Sequence, residues 1–409
     1  MRKSLLHLLV FLSAITSNVF AEVYYSRQNG PWALNTTWSN DRTLQHTGAA
    51  AAATPTAGDT VYIGAGHAVD FNPNAGAGNA TTVSVVIIDD NGAGGTLRFP
   101  ASNSNPAGTT SDLNQAFTLT ITDSLAVNSL GSIIGEEGGA GTPVMAGTAT
   151  ARTHTLIIQG DITNAGTIDL ESTGTVNRYV NMQITGNVPT RINGTGTFDL
   201  RTLTLNKTAS TDSICILAGS FATAIDLTAG LTLTSGLYSH QNPDTAILSN
   251  GALTLNANIR MHVPRGVVKL GNTTANTTVT FNSTFVVDGG IVRVSQGTNT
   301  VAFQSLVSGS SSASLTVSNG GRLYVGNDGR FGDIRFDNGG SFTITGSSTQ
   351  VYAGRLVSGA TATSVNGLID AAYVHIGYGA TAAGTVYFMR GRSIHNIING
   401  AVVNLGRDT

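Results

Sequence analysis

The feature that most restricts this chain is internal repetition without internal bulk. "LIIQGDITNAGTIDL" (Leu156–Leu170) is echoed by "MQITGNVPTRINGTGTFDL" (Met182–Leu200), and "LTLTSGLYS" at Leu231 by "LTLNANIRM" at Leu253. "VVDGGIVRVS" (Val286–Ser295), "VSNGGRLYVG" (Val317–Gly326) and "FDNGGSFTITG" (Phe336–Gly346) share one plan. Each is a short apolar alternation, a Gly-rich corner and a second alternation. Period-two runs of three to six residues put one face inward. Gly and Asn at the corners allow the positive φ angles that sharp bends need. Units of roughly 20–30 residues cannot bury their own apolar face, so they must stack on their neighbours.

Parallel stacking of such units predicts an all-β chain, a right-handed parallel β-helix (β-solenoid) with rungs about 4.8 Å apart. Roughly 15 coils would give a rod on the order of 70 Å. The alternative is a tandem set of β-sandwiches, which would favour antiparallel hairpins at 8–12-residue spacing. Composition agrees with strands and tight turns. Charged residues are 11% of the 409, Gly numbers 50 and Pro only 9, and the long charged helix formers are scarce. A net charge of −2 provides no basic field for nucleic acid and no polybasic patch for a membrane.

Residues 1–21 read as a secretory signal. Arg2 and Lys3 precede the apolar "LLHLLVFLSAI", which is too short to span a bilayer, and Val19-Phe20-Ala21 places cleavage after Ala21. No later segment approaches transmembrane length. Cys215 is the single cysteine, so the exported chain has no internal disulfide and must rely on pairing and packing. Cys215 itself reads as a buried thiol in a strand. Residues 22–72 form the N-terminal cap and first coil, and 73–409 the repeats. The polar, Gly-rich stretches 102–115 and 135–153 read as projecting loops.

The N-terminal segment concentrates aromatics. Trp32 and Trp38 are the only tryptophans, and Tyr24 and Tyr25 precede them. A stack of coils has an open end that must be covered, and these rings suit that task. The other reading is a platform on which sugar rings stack. In "PTAGDTVYIGAGHAV" (Pro55–Val69), Val61 and Ile63 are expected to face inward. Gly64–Gly66 then turns the chain so that Val69 and Phe71 do the same. No helix follows "GAGH", so it is not a phosphate cradle.

This opening, "GPWALNTTWSN…PTAGDTVYIGAGHAVDF", resembles the first module of secreted surface proteins of Bacteroidetes-type bacteria. It is also similar to the eight-glycine extracellular domain that begins pectin-lyase-like β-helices. The resemblance implies an exported surface protein of degenerate solenoid repeats. It also implies O-glycosylation at Asp-Ser/Thr-apolar tripeptides, here at Thr60, Ser124, Ser213 and Thr245.

Local catalytic motifs are absent. His67 reads as a surface residue at a β-corner, and His46, His154, His240, His262, His375 and His395 lack metal-ligand spacing. Glu136 and Glu137 are adjacent and point opposite ways on an extended chain, a poor acid/base pair. "RGVVK" (Arg265, Lys269) and "MRGRS" (Arg390, Arg392) could each set two cations on one strand face. "GNDGRFGDIRFDNGG" offers Asp328, Asp333 and Asp337 as candidate calcium ligands in one imperfect nonapeptide-like turn; Asp89 and Asp90 in "IIDDNGAGG" are a weaker candidate. No other cofactor is indicated. The expected function is therefore an exported cell-surface or extracellular structural, adhesin-like protein, presenting a rigid solenoid for attachment or glycan binding. The alternative is a polysaccharide lyase or glycoside hydrolase on a β-helix, with acidic and basic residues aligned across several coils.

Overall fold

The computed structural model describes residues 21–72, 79–99, 116–135, 153–171 and 179–208. With further interruptions it also describes the strands from 213 to 405. The two loop stretches, the leader and the doublets Glu136/Glu137 and Asp328/Asp337 lie outside the described residues, apart from Ala21, Gly135 and Thr153.

The chain is all-β. Among the described residues the strands form one long sheet of 29 strands and a second of five, and two three-residue 3-10 turns are the helical segments. Pairing is parallel almost throughout. Among the described residues antiparallel pairs occur only between Tyr25–Ser26 and Trp38–Ser39, and at Gly326–Asn327 against Arg330–Phe331. The hairpins that a tandem sandwich needs are therefore missing from the described strands.

Three ladders account for the parallel pairs. On the first face Tyr24 pairs with Val61, Val61 with Val86, Val86 with Leu125 and Leu125 with Ile162. The same ladder continues through Ile192, Ile216, 236–240, Met261, Phe285, Leu315 and Phe342 to the strand Arg392–Ile397. Fourteen strands lie on it, which spans about 60 Å at 4.8 Å per step. A second face begins at Pro31 and Asp70 and runs to Val402–Leu405. A third carries 80–83, 118–121, Thr153–Ile158, Tyr179–Ile184 and their successors. The chain visits the ladders in a fixed order, an arrangement consistent with a β-solenoid.

Alternation explains the core. Val61, Ile63, Val69 and Phe71 are all fully buried, as the opening stretch predicted. So are their ladder partners Val86, Ile88 and Leu97. The echo between Leu156–Leu170 and Met182–Leu200 is a true structural repeat: Leu156 pairs with Met182, Ile162 with Ile192 and Ile168 with Phe198. The corner between first and second faces explains much of the glycine. A Cβ on Gly131 would sit 2.9 Å from the Ile88 carbonyl oxygen, and one on Gly290 would sit 2.7 Å from that of Val263. Backbone passes over backbone there, with no room for a side chain.

One expected repeat is out of phase. Val287 pairs with Val317 and Val292 with Leu323, so Gly289-Gly290 and Gly320-Gly321 turn the same corner. Val317, however, pairs with Ile344. Gly340 therefore opens the first-face strand Gly340–Ala353 instead of following it, and the register shift at 346–349 marks the corner. A Gly pair marks a bend but does not say which one. Arg265 and Lys269 also part company: Arg265 is an exposed corner residue whose Nε donates to the Gln241 carbonyl at 2.5 Å, while Lys269 lies on the strand Val267–Leu270.

Candidate functional site

Two places gather chemical groups, and both are assembled by ladder register rather than by local sequence. The first is the seam between the N-terminal segment and the first rungs. Trp38 is fully buried, Trp32 is 1% exposed, and their rings meet edge-on at 5.0 Å. The Trp38 indole Nε1 donates to the Trp32 carbonyl at 2.8 Å. Trp32 packs on Phe71 at 5.3 Å, and Phe71 on Phe99 at 5.3 Å. Beyond them Phe117 stacks on His154 at 5.3 Å. The tryptophans thus begin an aromatic column inside the stack. Neither ring has a face open to solvent, so the sugar-platform reading of Trp32 and Trp38 does not hold. Bulk that seals the end of a core cannot also present a flat outer surface.

Beside this column Ile63 pairs with Ile88 and Tyr25 with Tyr62, and Ser26 and the residues flanking these pairs converge. His46 Nε2 lies 2.9 and 3.1 Å from the two Asp90 carboxylate oxygens. His46 Nδ1 is 2.6 Å from the Ser26 carbonyl, and His67 Nδ1 is 2.9 Å from the same oxygen. Ser26 Oγ stands 3.3 Å from His46 Nδ1 and 3.2 Å from His67 Nδ1, and it accepts the Gly64 N–H at 3.1 Å. The lack of a side chain on Gly64 makes the space: a Cβ there would collide with the Asp90 carboxylate and lie 2.9 Å from His46 Nε2. The two imidazoles differ. Burial lowers the affinity of His46 for a proton, but the Asp90 hydrogen bond, the Ser26 carbonyl and the Asp90 charge together raise it above the usual value. Burial lowers His67, and the nearby His46 adds to that.

The Ser–His–Asp composition invites a nucleophilic reading, but Ser26 is fully buried and its hydroxyl is occupied by Gly64 and the two rings. Among the described residues no group of three or more His, Cys, Asp or Glu is arranged to hold a metal ion. The cluster is a polar lock joining cap to stack. His67, expected at the surface, is half-buried and part of it. Sequence reading missed the lock because its members come from four separate segments between residues 26 and 90. The available signal was positional: Asp89-Asp90 directly follows Ile88, which shares a rung column with Ile63 and so with Gly64.

The second place is a column of residues in backbone register on the second face. In register it reads Asp70, Arg98, Ile134, Asp169, Asp199, Asp226, Ile247, Lys269, Arg293, Tyr324, Tyr352, His375 and Asn404. Asp70 and Arg98 form an ion pair at 2.7 Å. Three aspartates then follow on consecutive rungs. Burial, and next the Glu171 charge, hold the Asp199 carboxyl above the ordinary range. Past Ile247 the sign reverses: Lys269 and Arg293 are neighbours, and the Arg293 guanidinium lies 4.5 Å from the Tyr324 ring centre. Arg322, exposed, accompanies Tyr324 on its strand. Ion pairs among the described residues include His46–Asp90, Arg98–Asp70 and His262–Asp288.

Other expected site residues fall elsewhere. Thr60, Ser124 and Thr245 are half-buried residues of ladder strands that alternate with buried neighbours, and Ser213 opens the strand Ser213–Ile216. Of the calcium candidates, Asp333 begins a strand that pairs with Leu306 and Arg355; Asp328 and Asp337 lie outside the described residues. Asp89 accepts the Gly94 N–H at 2.8 Å and the Leu130 N–H at 3.0 Å, so it holds turns together. Cys215 pairs with exposed Arg191 and buried Ser239. Arg392 begins the strand Arg392–Ile397, and Arg390 lies outside the described residues. No helix of the described residues is long and apolar enough to cross a membrane. Comparison with family models, with curated proteins and with solved structures found no match to this chain.

Proposed function

We propose that this chain is an exported structural protein of the cell surface or extracellular space. On this reading it is a right-handed parallel β-helix, closed at its N-terminal end by an aromatic cap, whose rigid outer faces serve attachment. One observation carries the reading: a first-face ladder of fourteen parallel strands, buried at positions such as Val61, Val86, Leu125, Ile162, Met261 and Phe285, with its entry locked by Trp32, Trp38 and the His46–Asp90 pair. Such a stack is stiff along its axis, because each rung is fixed by hydrogen bonds to two others, and its chemistry is confined to exposed faces. The leader-like first 21 residues and the opening that resembles Bacteroidetes-type surface modules support export. Fractionation of cells producing the chain, with protease added to intact cells, tests this. Protein protected in the cytoplasm refutes it.

A second reading, a glycan-cleaving enzyme, is favoured by the aspartate column. Carboxylates on adjacent rungs are about 4.8 Å apart at the backbone, close to the separation of about 5–5.5 Å used by retaining glycosidases. Asp199, with its raised proton affinity, would be the acid and Asp169 or Asp226 the second carboxylate. Incubation with acidic and neutral polysaccharides separates the readings. Binding without product supports the structural role, whereas product release that is lost in Asp199→Asn supports the enzyme.

A further inference from the structure

The turn that opens the first coil holds a buried carboxylate. In "PTAGD" (Pro55–Asp59) Asp59 is 2% exposed. Its Oδ2 accepts the Thr56 amide at 2.7 Å and the Thr56 hydroxyl at 3.1 Å, which closes the turn on itself. Its Oδ1 accepts the backbone N–H of Glu22 at 2.8 Å. Among the described residues the donors that reach Asp59 are thus two amides and a hydroxyl, all uncharged. A buried carboxylate served by neutral donors keeps much of its desolvation cost. A second acidic group stands close by. Burial first, then the hydrogen bond and charge of Glu22, then the charge of Asp59, hold the Tyr24 hydroxyl above the ordinary phenol range. Glu22 is also the first residue after the cleavage expected at Ala21, and both residues are exposed. With the leader attached, the Glu22 nitrogen is an amide with one N–H. After cleavage the same nitrogen is an α-ammonium, positively charged and with three donors.

We propose that Asp59 is a preformed receptor for the α-ammonium of Glu22, so that the first coil closes on an ion pair only once the leader has been removed. The amide at 2.8 Å stands where the ammonium is received. Glu22 is held from its other end as well: its carbonyl accepts the Thr60 N–H at 2.9 Å, and Val23 pairs with Thr60. The Asp59 carbonyl in turn accepts the Ser84 and Val85 N–H groups at 2.8 and 3.2 Å. One residue therefore ties the entry strand Val23–Ser26 to Thr60–Ile63 and Ala80–Ile88. A charge-assisted hydrogen bond is about twice as strong as a neutral one. A leader-bearing chain keeps the turn and the amide contact but lacks the charge, so its cap is weaker before export than after it. Cleavage one residue earlier would displace the charge by about 3.8 Å along the chain, so the receptor is matched to a cut after Ala21.

This inference rests on the reading of residues 1–21 as a leader, and its test separates the two. Mass spectrometry of the exported protein from its host should find Glu22 as the first residue. The chain from Glu22 to Thr409 is then prepared with a free α-amino group and with that group acetylated. The acetyl form keeps the Glu22 N–H and loses only the charge. At pH 7 the free form should melt about 4–8 °C higher by tryptophan fluorescence, for a cooperative unit of roughly 60–100 residues. In Asp59→Asn the two forms should melt together. A second readout needs no variant. The pH profile of α-amine acylation in the folded chain should have its midpoint above the value of about 7.7–8.0 for a free terminus, because Asp59 and the Glu22 carboxylate face it, with the Tyr24 hydroxyl beside them; burial without a partner would put it below. The acetylated form has no titrating terminus, so it is the form in which the pH dependence of the His46–Asp90 contact is read. An exported chain that does not begin at Glu22 refutes the leader reading and the proposal with it. A chain that begins at Glu22 but melts alike with and without the acetyl group overturns the proposal alone. So does a difference that persists in folded Asp59→Asn, or an acylation midpoint at or below the free value.

Discussion

Replacing Asp90 by Asn tests the polar lock where its energetics are sharpest. The two histidines push stability in opposite directions with pH. His46 has its folded-state proton affinity raised, so its contribution is complete below the unfolded value of about 6.5 and is lost as pH rises through the folded value. His67 is lowered, so its contribution is complete above about 6.5 and is lost as pH falls through its folded value. The cap should therefore be most stable near pH 6.5 and weaken on both sides. Asp90→Asn keeps an acceptor for His46 Nε2 but removes the charge. Burial, the largest influence on His46, then dominates and lowers its affinity too. The alkaline decline should vanish, leaving a cap whose stability rises with pH to about 6.5 and then levels.

The magnitude follows from the contact. His46 is 6% exposed and the Asp90 side chain 11%, and a buried hydrogen bond to a charged group is worth about 1.5–3 kcal/mol net. The variant should lose about 2 kcal/mol near pH 6, and under about 1 kcal/mol near pH 9, where neutral His46 makes an ordinary hydrogen bond. For a cooperative unit of 60–100 residues, 2 kcal/mol is about 8–16 °C in Tm. The assay is selective, because both tryptophans of the chain are in the cap. Thermal unfolding followed by tryptophan fluorescence reports the cap, while far-ultraviolet dichroism reports the whole stack, which need not unfold as one unit. A fluorescence midpoint that is flat from pH 5 to 9 in the wild type, or one that drops equally at every pH in Asp90→Asn, refutes the reasoning.

Three further outcomes are expected. Gly290→Ala places a methyl 2.7 Å from both the Val263 carbonyl and its Cγ1, and should cost about 1–3 kcal/mol in the dichroism-detected transition while leaving the tryptophan midpoint nearly unchanged. Met261→Ala empties a fully buried first-face position between Tyr238 and Phe285, and should cost about 2–5 kcal/mol, measured by urea unfolding. Intact and peptide mass spectrometry of protein from its native host should find hexose-bearing peptides at Thr60, Ser124, Ser213 or Thr245; unmodified peptides at all four end that expectation.

How much of this was legible depends on whether a feature needs register. Val61, Ile63, Val69 and Phe71 needed only period-two alternation, and each is buried as read. Leu156–Leu170 and Met182–Leu200 could be matched by eye because their coils are of similar length, with 26 residues from Leu156 to Met182 and 30 from Ile162 to Ile192. Elsewhere the step changes. It is 39 residues from Val86 to Leu125 and 21 from Asp226 to Ile247, and the ladder shifts between Leu200 and Thr202 and again at Asn206. A column of side chains can be read from sequence only if every step is known. One misplaced residue sends a side chain to the opposite face of the sheet. This is why "FDNGGS" was assigned to the wrong corner, and why the His46–Asp90 pair, 44 residues apart, looked like scattered polar residues. The aspartate and cation columns were hidden for the same reason. Asp169, Asp199 and Asp226 lie in unrelated local sequences, yet a parallel ladder brings them to one line. In such a chain the core is encoded locally by alternation, while any site on its surface is encoded by coil lengths. Insertions between rungs can therefore rearrange the surface chemistry without disturbing a single buried residue.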